Sequence, residues 1–299
     1  MSTNLTLSIP QVVPPARITR PRKYTARKVL GYALIYALMI GIAIIFMIPL
    51  FWMFSTSLKT RGQVLAYPPE FFPANPQWGN YGEAFAKYPL AQFMGNTLFL
   101  IVVNSIGYLL SVPIIAYGFA RLRFPGKSVF FVLMLSTLMI PGQIKLIPLY
   151  QLYSGLGMIN TYWPLTLPSF FGEAFFIFLM VQYMRSIPRD LDEAARIDGA
   201  GTWTILYRVI LPLCRPILAV MLVFTFLWTW NEFLQPIIYI NDFYKYPISV
   251  GLSFFRGRYG VEWNLLMSAT LVSITPVLAL YFVAQRHLIG GLAAVGLKG

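Results

Sequence analysis

No charged residue occurs between Lys28 and Lys59, and Val29 to Trp52 within that window is almost wholly apolar. Such a segment must satisfy its own backbone groups as a helix, and about 20 residues of this kind cross the hydrocarbon core of a bilayer. Five further stretches repeat the pattern. Tyr88 to Ala120 is uncharged, with its apolar part from about Thr97, and Val129 to Tyr150 carries only Lys145. Tyr162 to Met184 is interrupted by Glu173, Pro216 to Ile240 by Glu232, and the last stretch lies between Glu262 and Arg286. The reading is an all-α, polytopic membrane protein with six transmembrane helices. The first stretch is too long for a signal peptide, and Ile48-Pro49-Leu50-Phe51-Trp52 has no small-residue cleavage pattern, so it is read as a retained helix. Composition supports this: 58% of residues are hydrophobic and 11% charged, against about 25% charged in a soluble domain, which excludes an ordinary cytosolic enzyme.

The net charge of +13 is sorted along the chain. Sixteen of the 23 basic residues fall on the N-terminal tail, the second and fourth connections and the C-terminal end. Six fall on the alternate connections. By the positive-inside rule both termini are cytoplasmic, and the charge is an orientation signal that needs no nucleic acid partner. Residues 1–28, with Pro10, Pro14 and Pro15, are expected to form a mobile cytoplasmic tail, 29–286 a transmembrane domain, and 287–299 a cytoplasmic C-terminal tail. The first outer connection, about Lys59 to Gln92, contains Tyr67-Pro68-Pro69-Glu70-Phe71-Phe72-Pro73 and is expected to pack on the outer face. The sole cysteine, Cys214, and the sole histidine, His287, exclude an intrachain disulfide framework and a Cys- or His-based metal cluster. No metal, cofactor or catalytic residue is assigned.

The fourth connection, 185–215, has structure of its own. Asp190 followed by Glu193 gives a capping-box-like helix start, Leu191, Ala194, Ala195 and Ile197 can share an apolar face, and Gly199 suits a left-handed stop. Thr202 can cap a second short helix ending before Pro212. On physical grounds alone these residues also fit an amphipathic hairpin that merely joins two spans.

Glu193-Ala194-Ala195, Gly199 and Leu211-Pro212 together resemble the EAA loop of binding-protein-dependent ATP-binding-cassette importers, with Val209 where an Ile-type residue is usual. Ile147-Pro148-Leu149-Tyr150, Trp230-Asn231-Glu232-Phe233 and the Gly291-Leu292-Ala293-Ala294 tail are similar to the carbohydrate branch, and to the smaller permease of the maltose-transporter type. In the tail, Ala293 and Val295 depart from the usual residues. The resemblance covers roughly Leu30 to the C-terminus. It implies a type I importer permease fold in a bacterial or archaeal cytoplasmic membrane, surrounded by lipid. It also implies a second permease subunit, two cytoplasmic ATPase subunits and an extracytoplasmic solute-binding protein. The ATPase-coupling residues it implies are Glu193, Ala194, Ala195, Asp198, Gly199 and Pro212, with Glu193 making a charged contact. No Gly-x4-Gly-Lys-Ser/Thr phosphate loop occurs in the sequence, which places hydrolysis on another polypeptide.

Polar residues inside membrane spans are costly and mark candidate pathways. Trp230, Asn231, Glu232, Gln143 and Asn104 are the candidates, because sugars are held by planar polar groups beside an aromatic face. Glu173 is a weaker one. Equally, Glu232 could pair with Lys145, Asn104 could bind a neighbouring helix, and Trp228 and Trp230 could sit at the interface. Pro141-Gly142 is expected to kink the third span. The substrate implied is a mono- or oligosaccharide, with a polyol, glycerol phosphate or acidic oligosaccharide as alternatives. The competing function is an ion-coupled secondary transporter using Glu173, Glu232 and Lys145, although no internal repeat is evident.

Overall fold

Apolar helices account for most of the chain in the computed structural model, which describes residues 26–257 and 260–296, with side chains from 30 to 257 and 260 to 285. The expected N-terminal tail lies outside the described residues up to position 25. Contacts divide the chain into two compact units, Met1–Phe51 and Trp52–Gly299. The described part of the first unit belongs to helix α1 (Ala26–Ser57), whose most apolar window is fully exposed, as suits a surface turned to lipid or to another apolar partner.

In the second unit the main elements are α2 (Gly79–Lys87), α3 (Leu90–Arg121), α4 (Lys127–Ser136), α5 (Gly142–Gly155), α6 (Ala174–Ser186), α7 (Asp190–Ile197) and α8 (Thr202–Leu213). They continue with α9 (Arg215–Asn231), α10 (Leu234–Tyr239), α11 (Ile248–Ser253) and α12 (Trp263–Gly296). Two-residue strands, Arg256–Gly257 and Gly260–Val261, pair antiparallel. Among the described residues, four segments are long and apolar enough to cross a membrane: Leu30–Ser57, Leu90–Arg121, Trp163–Ser186 and Trp263–Gln285. Two bent pairs bring the number to six if each is one span.

The break expected at Pro141-Gly142 is present, and it is sharper than a kink within one helix. α4, extended by a 3-10 turn at Thr137–Met139, and α5 meet at 100°. Ile140 and Pro141 are extended there, because proline drives the preceding residue out of the helical region and cannot continue the bonding ladder. The third span is therefore two limbs rather than one helix from Val129 to Tyr150. α8 and α9 meet at 76° across Cys214. The Pro216–Ile240 stretch also breaks, at Glu232 and Phe233, before α10. α12 continues the backbone helically through 287–296, the first part of the segment read as a tail.

Two apolar clusters hold the second unit. In one, Val112, Ala116 and Ala120 of α3 meet Phe176, Met180 and Met184 of α6, Ile205, Leu206 and Ile210 of α8, and Val220 and Met221 of α9. In the other, Phe93 and Ile101 of α3 meet Trp230, Ile248, Phe255, Leu265 and Ala269. Gly107 of α3 permits close approach to the Leu167–Phe171 turn: a Cβ there would stand 2.1 Å from Ser169 Oγ. Ser111 Oγ donates to the Ser169 carbonyl at 2.8 Å beside it. The proline-rich connection after α1 is pinned locally, with Lys59 Nζ donating to the Glu70 carbonyl at 2.5 Å and lying 4.4 Å from the Trp52 ring centre. Burial lowers the pKa of that ammonium against the opposing field of Glu70.

Candidate functional site

The 185–215 connection folds as a two-helix hairpin, α7 and α8. Gly199 has φ +81°, and Ala200 N–H donates to the Ala195 carbonyl at 2.9 Å while Gly199 N–H donates to that of Arg196 at 3.0 Å. These two bonds are a Schellman stop, which needs a residue tolerant of left-handed backbone. The starts differ from expectation. Arg189 occupies the cap of α7 in helical conformation, without a side-chain cap bond, so the Asp190–Glu193 capping box does not form. Asp190, Asp192 and Glu193 instead lie in the first turn, where the helix dipole favours acidic residues. Gly201 rather than Thr202 caps α8, and α8 runs through Pro212 to Leu213. Its Ile205–Ile210 segment is π-helical; this wider turn removes the clash proline makes with the carbonyl four residues back.

The buried side of α7 carries a charge. Asp192 and Ala195, three residues apart, face inward. Asp192 Oδ2 stands 3.1 Å from Arg121 Nε at the end of α3, with side-chain exposures of 4% and 2%. Arg121 Nη2 also donates to the Ile187 carbonyl at 2.9 Å. Residues read as one apolar face are divided: Ala195 packs on the core, while Leu191, Ala194 and Ile197 are exposed. Ile197 joins exposed Trp203 and Tyr207, whose rings stack 6.1 Å apart, on the hairpin surface. Glu193, Asp198, Gly199 and Pro212 are exposed as well. Sequence reasoning missed Arg121 and Asp192; the i, i+3 pair Asp192–Ala195 and an arginine closing a long uncharged window were the available signals.

A cavity of about 320 Å³ lies between α3, α9 and α10 and the start of α6. Asn104 and Tyr108, one turn apart on α3, line it with Glu173, Trp228, Thr229, Glu232 and Gln235. Asn104 Nδ2 is 3.5 Å from Thr229 Oγ1. Glu232 Oε1 accepts from the Leu234 and Gln235 N–H groups, both at 3.1 Å, and so fixes the first turn of α10. The structure thus brings together two of the five pathway candidates, Asn104 and Glu232. Asn231 lines a neighbouring depression and donates to the Leu227 carbonyl at 2.8 Å. Trp230 is buried in the second cluster, its ring 5.3 Å from Phe226 and nearly parallel to it, and Trp228 is the tryptophan at the cavity. Gln143 and Lys145 are exposed on α5, and no Glu232–Lys145 ion pair forms among the described residues. Tyr108, Thr229 and Gln235 went unnoticed, although the four-residue step from Asn104 to Tyr108 places both on one helix face.

Long apolar helices around a polar cavity, with a glycine-stopped hairpin before α9, describe a polytopic membrane protein. Residues 97–292 match the family described as binding-protein-dependent transport system inner membrane component, and the chain belongs to that family. The chain is 31% identical to the diacetylchitobiose uptake system permease protein NgcG of Streptomyces coelicolor, over 87% of each chain. It is 32% identical to the arabinooligosaccharides transport system permease protein AraQ of Halalkalibacterium halodurans, over 82% of this chain and 86% of that one. A crystal structure of a bacterial ABC transporter involved in the import of the acidic polysaccharide alginate superposes with a TM-score of 0.76 at 25% identity, covering 88% of this chain and 98% of its counterpart. The fold is that of a type I ABC importer permease.

Proposed function

We propose that this chain is one permease half of a sugar importer. It pairs with a second permease and two cytoplasmic ATPase subunits, and receives substrate from an extracytoplasmic binding protein. The observation that carries this reading is the cavity itself, where amide, hydroxyl and carboxylate groups converge beside Trp228. That mixture of planar polar groups and an aromatic face suits a hydroxylated ring. The sugars in the names of the two relatives support the same class. The pathway residues are Asn104, Tyr108, Glu173, Trp228, Thr229, Glu232 and Gln235.

The hairpin is the coupling element. Glu193 and Asp198 supply exposed charge, Ile197, Trp203 and Tyr207 supply exposed apolar area, and Gly199 sets the angle between the helices. The Arg121–Asp192 pair joins it to the end of α3, the helix that carries Asn104 and Tyr108. The hairpin and both termini are cytoplasmic. Residues 1–28 and 287–299 flank the permease domain of 29–286.

The test is uptake of labelled sugar in cells expressing the assembled transporter. Uptake stops with a hydrolysis-defective ATPase subunit and survives a protonophore while ATP is maintained. Uptake that collapses with the ion gradient and ignores the ATPase establishes a secondary transporter instead.

A further inference from the structure

We infer that the membrane cavity is a charge filter: it takes ammonium-bearing sugars in preference to neutral ones and rejects carboxylated or phosphorylated ones. This rests on the sugar-permease reading and narrows it. Glu173 and Glu232 both line the cavity, and no Lys, Arg or His does so among the described residues. Glu232 is held in place, because its Oε1 is committed to two backbone N–H groups of α10, while Oε2 accepts no hydrogen bond among the described residues. The neighbouring groups are neutral: Asn104, Tyr108, Thr229 and Gln235. These bind hydroxyls of any sugar and cannot compensate a second negative charge.

Lys145 stands exposed on α5, outside the lining, and makes no ion pair with either glutamate among the described residues. The lining thus holds two carboxyl groups and no facing cation among the described residues. Coulomb interactions strengthen where water is displaced, so an anionic group brought between two carboxylates is opposed and an ammonium is drawn in. The shared fold therefore does not carry over the acidic substrate of the alginate importer. The lining charge here is the wrong sign for a polyuronate.

The experiment uses the complex isolated through a tag on the full chain and placed in lipid nanodiscs, without binding protein. Binding of three labelled disaccharides of equal size is compared: cellobiose, the glucosamine disaccharide in its protonated form, and a di-uronate. The glucosamine disaccharide is expected to bind about tenfold or more tightly than the di-uronate, with cellobiose between them, and the gap narrows as salt is raised. Glu173→Gln and Glu232→Gln each shrink the ratio between the charged sugars several-fold, and together bring it close to one. Gln at 232 keeps an acceptor for the α10 amides; if that variant fails to assemble, Glu173→Gln alone reads the ratio. A di-uronate that binds as tightly as the glucosamine disaccharide overturns the filter. So does a ratio unchanged by Glu173→Gln. Absence of binding by all three sugars overturns the pathway reading beneath it.

Discussion

At the residue scale, the Arg121–Asp192 pair is the most consequential contact. Its two side chains are almost fully buried, and Asp192 Oδ1 accepts no hydrogen bond among the described residues. A buried pair in this state adds little net stability but is costly to break on one side, by about 3–5 kcal/mol. Asp192→Asn is therefore expected to lower the melting temperature of the purified chain sharply. Arg121→Met combined with Asp192→Leu should recover most of that loss. If the double variant melts as low as the single one, the pair contributes more than mutual neutralisation. A second prediction concerns the cavity: Asn104→Ala removes one amide, worth about 0.5–1.5 kcal/mol, and should cut uptake roughly two- to tenfold with the complex intact. Unchanged uptake removes Asn104 from the pathway. Asn104 and Glu232 were legible in the sequence because a polar residue inside an apolar stretch is visible without coordinates. Trp230 and Trp228 were not separable, since two residues on one helix differ in direction by more than half a turn and only packing decides which faces the cavity.

At the scale of elements, the two glycines that shape helix contacts act differently. At Gly199 a Cβ would meet nothing within 4 Å, so the requirement is the left-handed backbone alone. Gly199→Ala should cost about 1–2 kcal/mol at the turn, while Gly199→Asn costs less, since asparagine tolerates that geometry. ATP hydrolysis stimulated by loaded binding protein is the readout, and equal activity of the alanine, asparagine and valine variants would contradict a conformational role. At Gly107 the backbone is ordinary and space is lacking. Gly107→Val must displace the Leu167–Phe171 turn, at a cost of about 1–3 kcal/mol seen in thermal unfolding. The hairpin and its glycine stop could be read from 185–215, as could the break at Pro141. The capping box could not be separated from alternatives, because the helix starts one residue earlier than Asp190 requires. The helix through Pro212 was hidden because a π-helical turn has no composition of its own.

At the scale of the whole molecule, the apolar runs and the break at Pro141 were legible, whereas the 76° bend at Cys214 and the break after Asn231 depended on backbone geometry that hydropathy does not encode. The sixteen-to-six division of basic residues predicts the orientation. In a background lacking Cys214, a membrane-impermeant thiol reagent with access to the outer face should label Asn75→Cys, in the exposed first outer connection, and leave Ala200→Cys unlabelled. The opposite pattern inverts the topology and with it the assignment of the hairpin to the ATPase side.

The ion pair beneath the hairpin also sets an order of events during synthesis. Arg121 leaves the ribosome 71 positions ahead of Asp192, by subtraction of their numbers. At about 5–20 residues per second, this is an interval on the order of seconds. Through that interval α3 is complete and its terminal guanidinium has no counter-charge from α7. The guanidinium is thus made before the carboxylate that faces it, and before α8, which completes the apolar cluster with α3 and α6. A chain that ends between the two residues holds the arginine without the one carboxylate that pairs with it among the described residues, so α3 and α7 are matched only once both have been made.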